Sequence, residues 1–272
     1  MANEPVSNSP KQLLLFDGHA LAFHSWFTSY PNEVMPGFFG MLKASIRKHT
    51  PTHVIVTFDP PPPTFRHKLY PDYKANRPPV PDGLLEDCER VRERLESLDV
   101  VFCTVQGYEA DDVLGTLSTR ASVSGFQTMI LTSDLDLLQL VSPITEVEVF
   151  SQYWAKRSFD VEAAKRRFGG LAPENIPDYK ALAGDTSDNL PGVPGIGAVA
   201  ATAVLGEYGN LDKVYEDLEA ISKLPIRGAR RVSRLLAEHR EQAFLMRTLT
   251  TIVCDVPVDV DIDGALIKES GL

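Results

Sequence analysis

Cysteine is scarce and irregularly placed. Cys88, Cys103 and Cys254 fit no metal or redox spacing, and an odd number excludes a closed disulfide framework. Each lies in an apolar stretch, so buried free thiols in a reducing, cytoplasmic setting are expected. Long apolar runs are missing too, and none approaches the ~20 residues a membrane span needs. The polar start, Met1 to Lys11, carries Glu4 and has no apolar segment before any cleavage site. That excludes a secretory signal and leaves 1–11 as a disordered leader. Histidine is sparse, and His19 and His53 each lack a metal-compatible companion. No long repeat or low-complexity tract is present.

Basic charge is in deficit: 27 Lys and Arg face 37 Asp and Glu, a net charge of −10. Total charge misleads when acids and bases are segregated. Thr64 to Arg77 holds Arg66, Lys68, Lys74 and Arg77 against Asp72 alone. Ser222 to Arg247 holds Lys223, Arg227, Arg230, Arg231, Arg234, Arg240 and Arg247 against Glu238 and Glu241. Where the excess acid gathers therefore decides which partner is excluded.

The composition, 43% hydrophobic and 24% charged, is that of a globular protein with a full core. Leu13-Leu14-Leu15-Phe16, Val54 to Phe58 and Met129 to Thr132 are apolar runs without alternation, which suits strands buried on both faces. Val100 to Cys103 and Val147 to Phe150 read as further strands. Helical periodicity covers Ala20 to Tyr30, Phe38 to His49, Gly83 to Leu98 and Asp111 to Ser122, with Asp82 as an expected N-cap. Alternating strands and helices predict an α/β fold, a mostly parallel sheet flanked by helices. Its ligands belong beyond the carboxyl ends of the strands. Pro60 to Pro81 holds eight prolines and interrupts this pattern as a stiff excursion carrying the first basic cluster. From about Pro173 the texture turns helical and glycine-punctuated around Leu190 to Gly197, a smaller second module.

Acids punctuate the strand ends. Asp17, Asp59 and Asp134 each follow an apolar run, and Asp136 lies two residues on. Glu109, Asp111 and Asp112 stand at a helix start, with Glu109 and Asp112 at the spacing of one face, and Asp185 and Asp188 repeat that spacing. A lone Asp after a strand is ordinarily a turn former or cap, and acids at a helix start favour its dipole anyway. Nine together are harder to explain so. Crowded, they repel one another, and divalent cations relieve that directly. All-oxygen ligands favour Mg²⁺ or Mn²⁺ over zinc.

The segments Leu15-Phe-Asp17-Gly-His19, Phe58-Asp59, Thr64 to Arg77, Gly107 to Asp112, Leu131 to Asp136 and Gly184 to Gly192 together resemble the 5′–3′ exonuclease and flap endonuclease family, in family order from about Leu13 to Val256. The likeness is greatest to the 5′-nuclease domain of bacterial DNA polymerase I. No polymerase sequence follows Leu272, so a stand-alone member is expected. The resemblance implies a PIN-like or resolvase-like 5′-nuclease domain over 12–172 with a helical arch at about 64–98. It further implies a helix-hairpin-helix (H3TH) module over 173–256 and a tail over 257–272. Asp17, Asp59, Glu109, Asp111, Asp112, Asp134, Asp136, Asp185 and Asp188 would hold two or more Mg²⁺ or Mn²⁺ ions. Lys74 and Arg66 would contact the scissile phosphate as catalytic cations, with Arg77 a further DNA contact. Gly192, Gly195 and Gly197 would let the hairpin backbone approach a phosphate, and that turn would hold K⁺.

The implied partner is DNA with a free 5′ end or 5′ flap, bound by structure rather than sequence. The protein would be a nucleoid-associated monomer off the membrane, with a DNA polymerase working alongside. Three departures stand out. Ala198-Val199-Ala200 replaces the family's Glu-Lys-Thr, His24 replaces an Arg, and four prolines follow Asp59. Weaker backbone grip is expected, offset by Arg227, Arg230, Arg231 and Arg234 unless these form only a solvated helix face. Phe23, Trp26, Phe27 and Tyr30 read as core packing. Another Mg²⁺-dependent α/β hydrolase such as a PIN-type ribonuclease, and a non-catalytic DNA-structure binder, remain open.

Overall fold

The computed structural model describes residues 11–29, 32–151 and 154–268. Its strands are β1 (Gln12–Asp17), β2 (His53–Thr57), β3 (Val101–Cys103), β4 (Gln127–Thr132), β5 (Thr145–Ser151) and β6 (Trp154–Phe159). They form one sheet in the order β3-β2-β1-β4-β5-β6, parallel except for β6, which returns antiparallel beside β5. The apolar runs are strands because both faces are covered. Leu13 and Leu15 enter one core and Leu14 and Phe16 the other, all 1% exposed or less. Strand order reverses between β1 and β4, and beyond their carboxyl ends an α/β sheet of this kind opens its ligand crevice.

One face carries α1 (Gly18–Thr28), α2 (Met35–His49) and, after the short α3 (Phe65–Leu69), α4 (Asp82–Ser97). The other carries α5 (Ala110–Val123) and α6 (Val161–Arg167), and the second module follows as α7 (Ile176–Ala183), α8 (Ala198–Tyr208), α9 (Leu211–Glu216), α10 (Leu218–Ile221), α11 (Ala229–Glu238) and α12 (Arg240–Thr250). Val193, Ile196, Val204 and Leu236 of the module join one continuous core with Val113 and Ile130 of the sheet domain. No free hinge separates the two halves.

Several expectations shift. The edge strand β6 had no signal, because Lys156 and Arg157 break any apolar run and an edge strand needs none. Within the proline-rich excursion, Phe65–Leu69 is helical because the prolines lie on either side of it. Pro81, not Asp82, occupies the cap position of α4. Leu84, Cys88, Val91 and Leu95 bury the inner face of α4. The arch expected over about 64–98 thus shrinks to residues 70–81. This stretch is fastened to the second module: Tyr73 is buried against Leu190, Met246 and Leu249, and the Lys74 N–H donates to the Asp188 carbonyl at 3.0 Å.

The expected tail is an ordered strap over its described part. Val258 and Ile262 are buried, Arg120 donates to the Val256 and Val258 carbonyls, and the Val54 N–H donates to the Ala265 carbonyl. Phe23 and Trp26 pack as expected, whereas Phe27 is 58% exposed; Tyr30 and the leader over 1–10 lie outside the described residues. His24 sits edge-on to Phe150 at 5.1 Å. Of the three free cysteines only Cys88 is fully buried, and burial raises the pKa of its thiol to about 11. No helix among the described residues is long and apolar enough to cross a membrane.

Candidate active site

The floor of the crevice is Asp17. Ending β1 and capping α1, it accepts the Ala20 N–H at 3.0 Å and the Thr132 hydroxyl at 2.8 Å. Burial, then the charges of Asp59 and Asp134, push its pKa up to about 7. Asp59, two residues past β2, caps α5 by accepting the Ala110 N–H at 2.7 Å. The tight turns after β1, β2 and β4 thus aim short carboxylates inward while using them as caps.

Asp111, in the first turn of α5, has its pKa held well above the usual carboxylate range by burial and by Asp134 and Asp17. Asp134 is raised by burial first and by Asp188 and Asp185, with Lys180 and Lys74 pulling the other way. Such mutual elevation is the signature of like charges crowded in a poorly solvated space.

A second group adjoins the first. Asp136, Asp185 and Asp188 each bring a carboxylate oxygen within 4.8 Å of the others, a geometry able to hold a metal ion. The antiparallel pairing of Asp185 with Leu190 tightens the loop that presents the latter two. Chain cations already meet this group. Lys180 of α7 contacts Asp136 and lies 2.5 Å from Asp185 Oδ2. Arg77 Nη2 donates to Asp188 Oδ1 at 2.7 Å. Burial disfavours the Asp185 charge, yet Lys180 and Ser187 hold its pKa below normal.

Between the groups stand Glu109, Lys74 and Tyr73. Lys74 Nζ donates to Glu109 Oε1 at 2.9 Å and lies 4.0 Å from Asp188. Burial opposes charge on both Glu109 and Lys74, but their attraction lowers the pKa of the first and raises that of the second. The Tyr73 hydroxyl is 2.9 Å from both Glu109 Oε2 and Asp188 Oδ2, and with one proton it donates to one at a time.

Two expected site residues lie elsewhere. Asp112 is fully buried, and its oxygens accept from Arg66, the Glu109 N–H and the Val253 N–H. It has no lone pair left for a metal, and its place three residues after Glu109 makes it a capping partner. Arg66, 3% exposed, grips Asp112 bidentately at 2.7 and 2.8 Å and reaches Glu109 Oε2 and the Leu249 and Thr251 carbonyls. Every N–H of its fork is engaged, so it ties α3, α5 and α12 together and cannot also meet a phosphate.

The hairpin glycines separate as well. A Cβ on Gly192 would fall 2.3 Å from the Gly184 nitrogen, so that glycine permits backbone packing inside the module. Gly195, at φ +82°, is covered by the Arg231 guanidinium; Gly197, ahead of α8, is the open one.

Sequence reasoning missed Lys180, Tyr73 and His19. A solitary lysine in a helix carries no signal, and Tyr73 was overshadowed by its basic neighbours. His19 Nδ1 accepts the Asp59 N–H at 2.8 Å, bracing that loop, while burial lowers its pKa.

The chain is similar to known proteins over nearly its whole length. A family model described as 5′-3′ exonuclease, N-terminal resolvase-like domain, matches residues 12–169, and one described as 5′-3′ exonuclease, C-terminal SAM fold, matches 171–270. DNA polymerase I of Chloroflexus aurantiacus is 38% identical over 94% of this chain, and that of Pseudomonas aeruginosa 39% over 95%. The chain spans only 28% and 29% of those relatives' own lengths. In fold it resembles the T5 D15 protein co-crystallized with metal ions, with a TM-score of 0.74 at 21% identity over 89% of this chain and 90% of that one. It also resembles the catalytic core of Rad2 in complex with DNA substrate, at 0.59 and 16% over 95% and 82%. Matched by both family models along its length, the chain belongs to the 5′–3′ exonuclease family.

Proposed function

We propose that this chain is a structure-specific 5′ nuclease that hydrolyses DNA phosphodiester bonds, from a free 5′ end or at a 5′ flap, in replication and repair. The observation that carries this reading is the strand-end group, Asp17, Asp59, Asp111 and Asp134, whose charges no chain cation touches closely and whose pKa values, where shifted, rise together. An all-oxygen donor set under such repulsion fits Mg²⁺ or Mn²⁺. Asp17, Asp59, Glu109, Asp111 and Asp134 would hold one part of the metal centre and Asp136, Asp185 and Asp188 another, with Asp112 outside it. Bound there, divalent ions supply a water of lowered pKa and charge for the attacking and leaving oxygens.

The chain's own part is positioning. Lys74, held at the mouth by Glu109, places a cation where negative charge grows on a phosphate. Arg77, half-exposed, sits one step further out as a DNA contact. Tyr73 fixes Glu109 relative to Asp188. Arg66 serves the site by holding the start of α5. Residues 70–81 cross the crevice and are the segment past which a 5′ end would travel. The open backbone at Gly197 suits a DNA phosphate, and K⁺ at the turn would serve the same grip. A DNA polymerase is the expected companion, and the protein works as a monomer.

A duplex with a 5′-labelled flap tests the reading. Short 5′-derived products are expected with Mg²⁺ or Mn²⁺ and none with EDTA, and Asp134→Ala should bind the flap without cutting it. Cutting that persists in EDTA, or no cutting with any divalent ion, sinks the proposal.

A further inference from the structure

The surface most unlike the carboxylate crevice is α11. Its inner face is Ala229, Val232, Leu235 and Leu236, and Arg230, Arg231 and Arg234 occupy the outer face, with Arg227 just before the helix. All four arginines are exposed, at the three- and four-residue spacing that sets helix positions side by side. Arg234 has Glu238 at 3.6 Å. Arg227, Arg230 and Arg231 have no ion-pair partner among the described residues. In a chain of net charge −10, such an uncompensated row concentrates positive potential on one face.

Arg231 is distinguished by what it touches. A Cβ built on Gly195 would come within 2.7 Å of Arg231 Nη2, so the guanidinium rests on the turn that leads into α8. Beyond it, Gly197 has nothing within 4 Å of its would-be Cβ. The first turn of α8 offers no charged group, and Val199 there is 85% exposed. Open glycine backbone and a planar guanidinium therefore stand side by side, contributed by separate helical elements. Backbone admits close approach of an oxygen, and the fork takes two oxygens of one phosphate. None of the large exposed apolar side chains among the described residues lies on α11, which speaks against a protein partner.

We propose that Arg231, flanked by Arg227 and Arg230, is a contact for a backbone phosphate of duplex DNA, made jointly with the Gly195–Gly197 turn. This rests on the reading that the chain binds DNA. It makes the grip depend on α11, across the module from the cutting site.

The test uses the Asp134→Ala protein in Mg²⁺, with binding of a plain duplex, a flapped duplex and a single strand followed by fluorescence anisotropy as KCl is raised. Adding Arg231→Gln, which keeps most of the stem over Gly195, should weaken both duplexes about tenfold and reduce the salt slope by about one. Arg231→Lys should keep the slope, and Arg234→Gln should stay within about twofold. An unchanged slope for Arg231→Gln, a slope lost equally in Arg231→Lys, or an effect confined to the single strand would overturn the proposal. If Asp134→Ala binds none of the three DNAs, the nuclease reading itself fails instead.

Discussion

The two carboxylate groups of the crevice are built from the same residue type, yet they differ in who neutralises them. Asp136, Asp185 and Asp188 arrive with chain cations attached: Lys180 bridges the first two and Arg77 holds the third. Asp17, Asp111 and Asp134 have no such contact, and their pKa values climb. The first set is a paired network that folding can tolerate empty. The second stores repulsion that only protons or metal can relieve. The same divide runs through one motif. Asp111 and Asp112 are neighbours in α5, yet one faces the crowded acids and the other the Arg66 clamp.

Substituting the two neighbours breaks the comparison most severely. Asp111→Asn removes a charge from the repelling group. Cleavage should fall about a thousandfold or more, because stabilisation by the metal centre amounts to several kcal/mol. Without metal, the same variant should melt above wild type. Asp112→Asn strips a charge from a buried bidentate pair and should destabilise by about 3–5 kcal/mol with or without metal. Melting in EDTA and in Mg²⁺ checks both. If the two variants shift the melting temperature in the same direction in EDTA, the distinction between them fails.

That pair also shows what could be read from the sequence. The strands, their parallel order and the acids at their ends were legible, because a buried parallel strand is a plain apolar run and its ligands must follow it. Which of two consecutive acids points into the crevice was not. Successive helical residues diverge by about 100°, and the direction depends on a partner, Arg66, some forty positions away. Arg66 and Lys74 lie in one basic cluster, yet only packing against Leu249 and Thr251 consumes the former's donors. Burial of α4 was readable from its spacing, whereas the fastening of residues 70–81 onto the second module was not, since it depends on Tyr73 meeting residues from 190 to 249.

Acidity sharpens the contrast by a smaller margin. Asp17 titrates near 7 in the folded chain against about 3.9 when unfolded, and Asp111 and Asp134 are raised too. Between those values the native state holds more protons than the unfolded one, so stability falls as pH rises through the window. Glu109 and Asp185, whose pKa values are lowered, act oppositely and only below about pH 4.5. Metal-free protein should therefore be more stable at about pH 5 than at about pH 7.5, by on the order of a few kcal/mol. Saturating Mg²⁺ should remove that slope. A metal-free stability that rises over the same interval contradicts the assignment of repulsion to the strand-end group.

The subtlest break is at Lys180. Its ammonium stands between Asp136 and Asp185, two of the three residues whose oxygens could hold an ion, so any cation entering there must share or displace it. Lys180→Met keeps the length of the side chain and leaves the acids uncompensated. The strand-end group should bind Mn²⁺ much as before, since Lys180 is only a secondary influence on Asp134 and touches none of the others. The second group should bind Mn²⁺ about tenfold more tightly, the ratio expected for removing roughly 1.4 kcal/mol of competing attraction. Titration calorimetry with Mn²⁺ resolves the two. Were both affinities to fall, Lys180 would be a scaffold for the second group and not its resident counter-ion. Were both to rise equally, the two groups would be a single electrostatic unit.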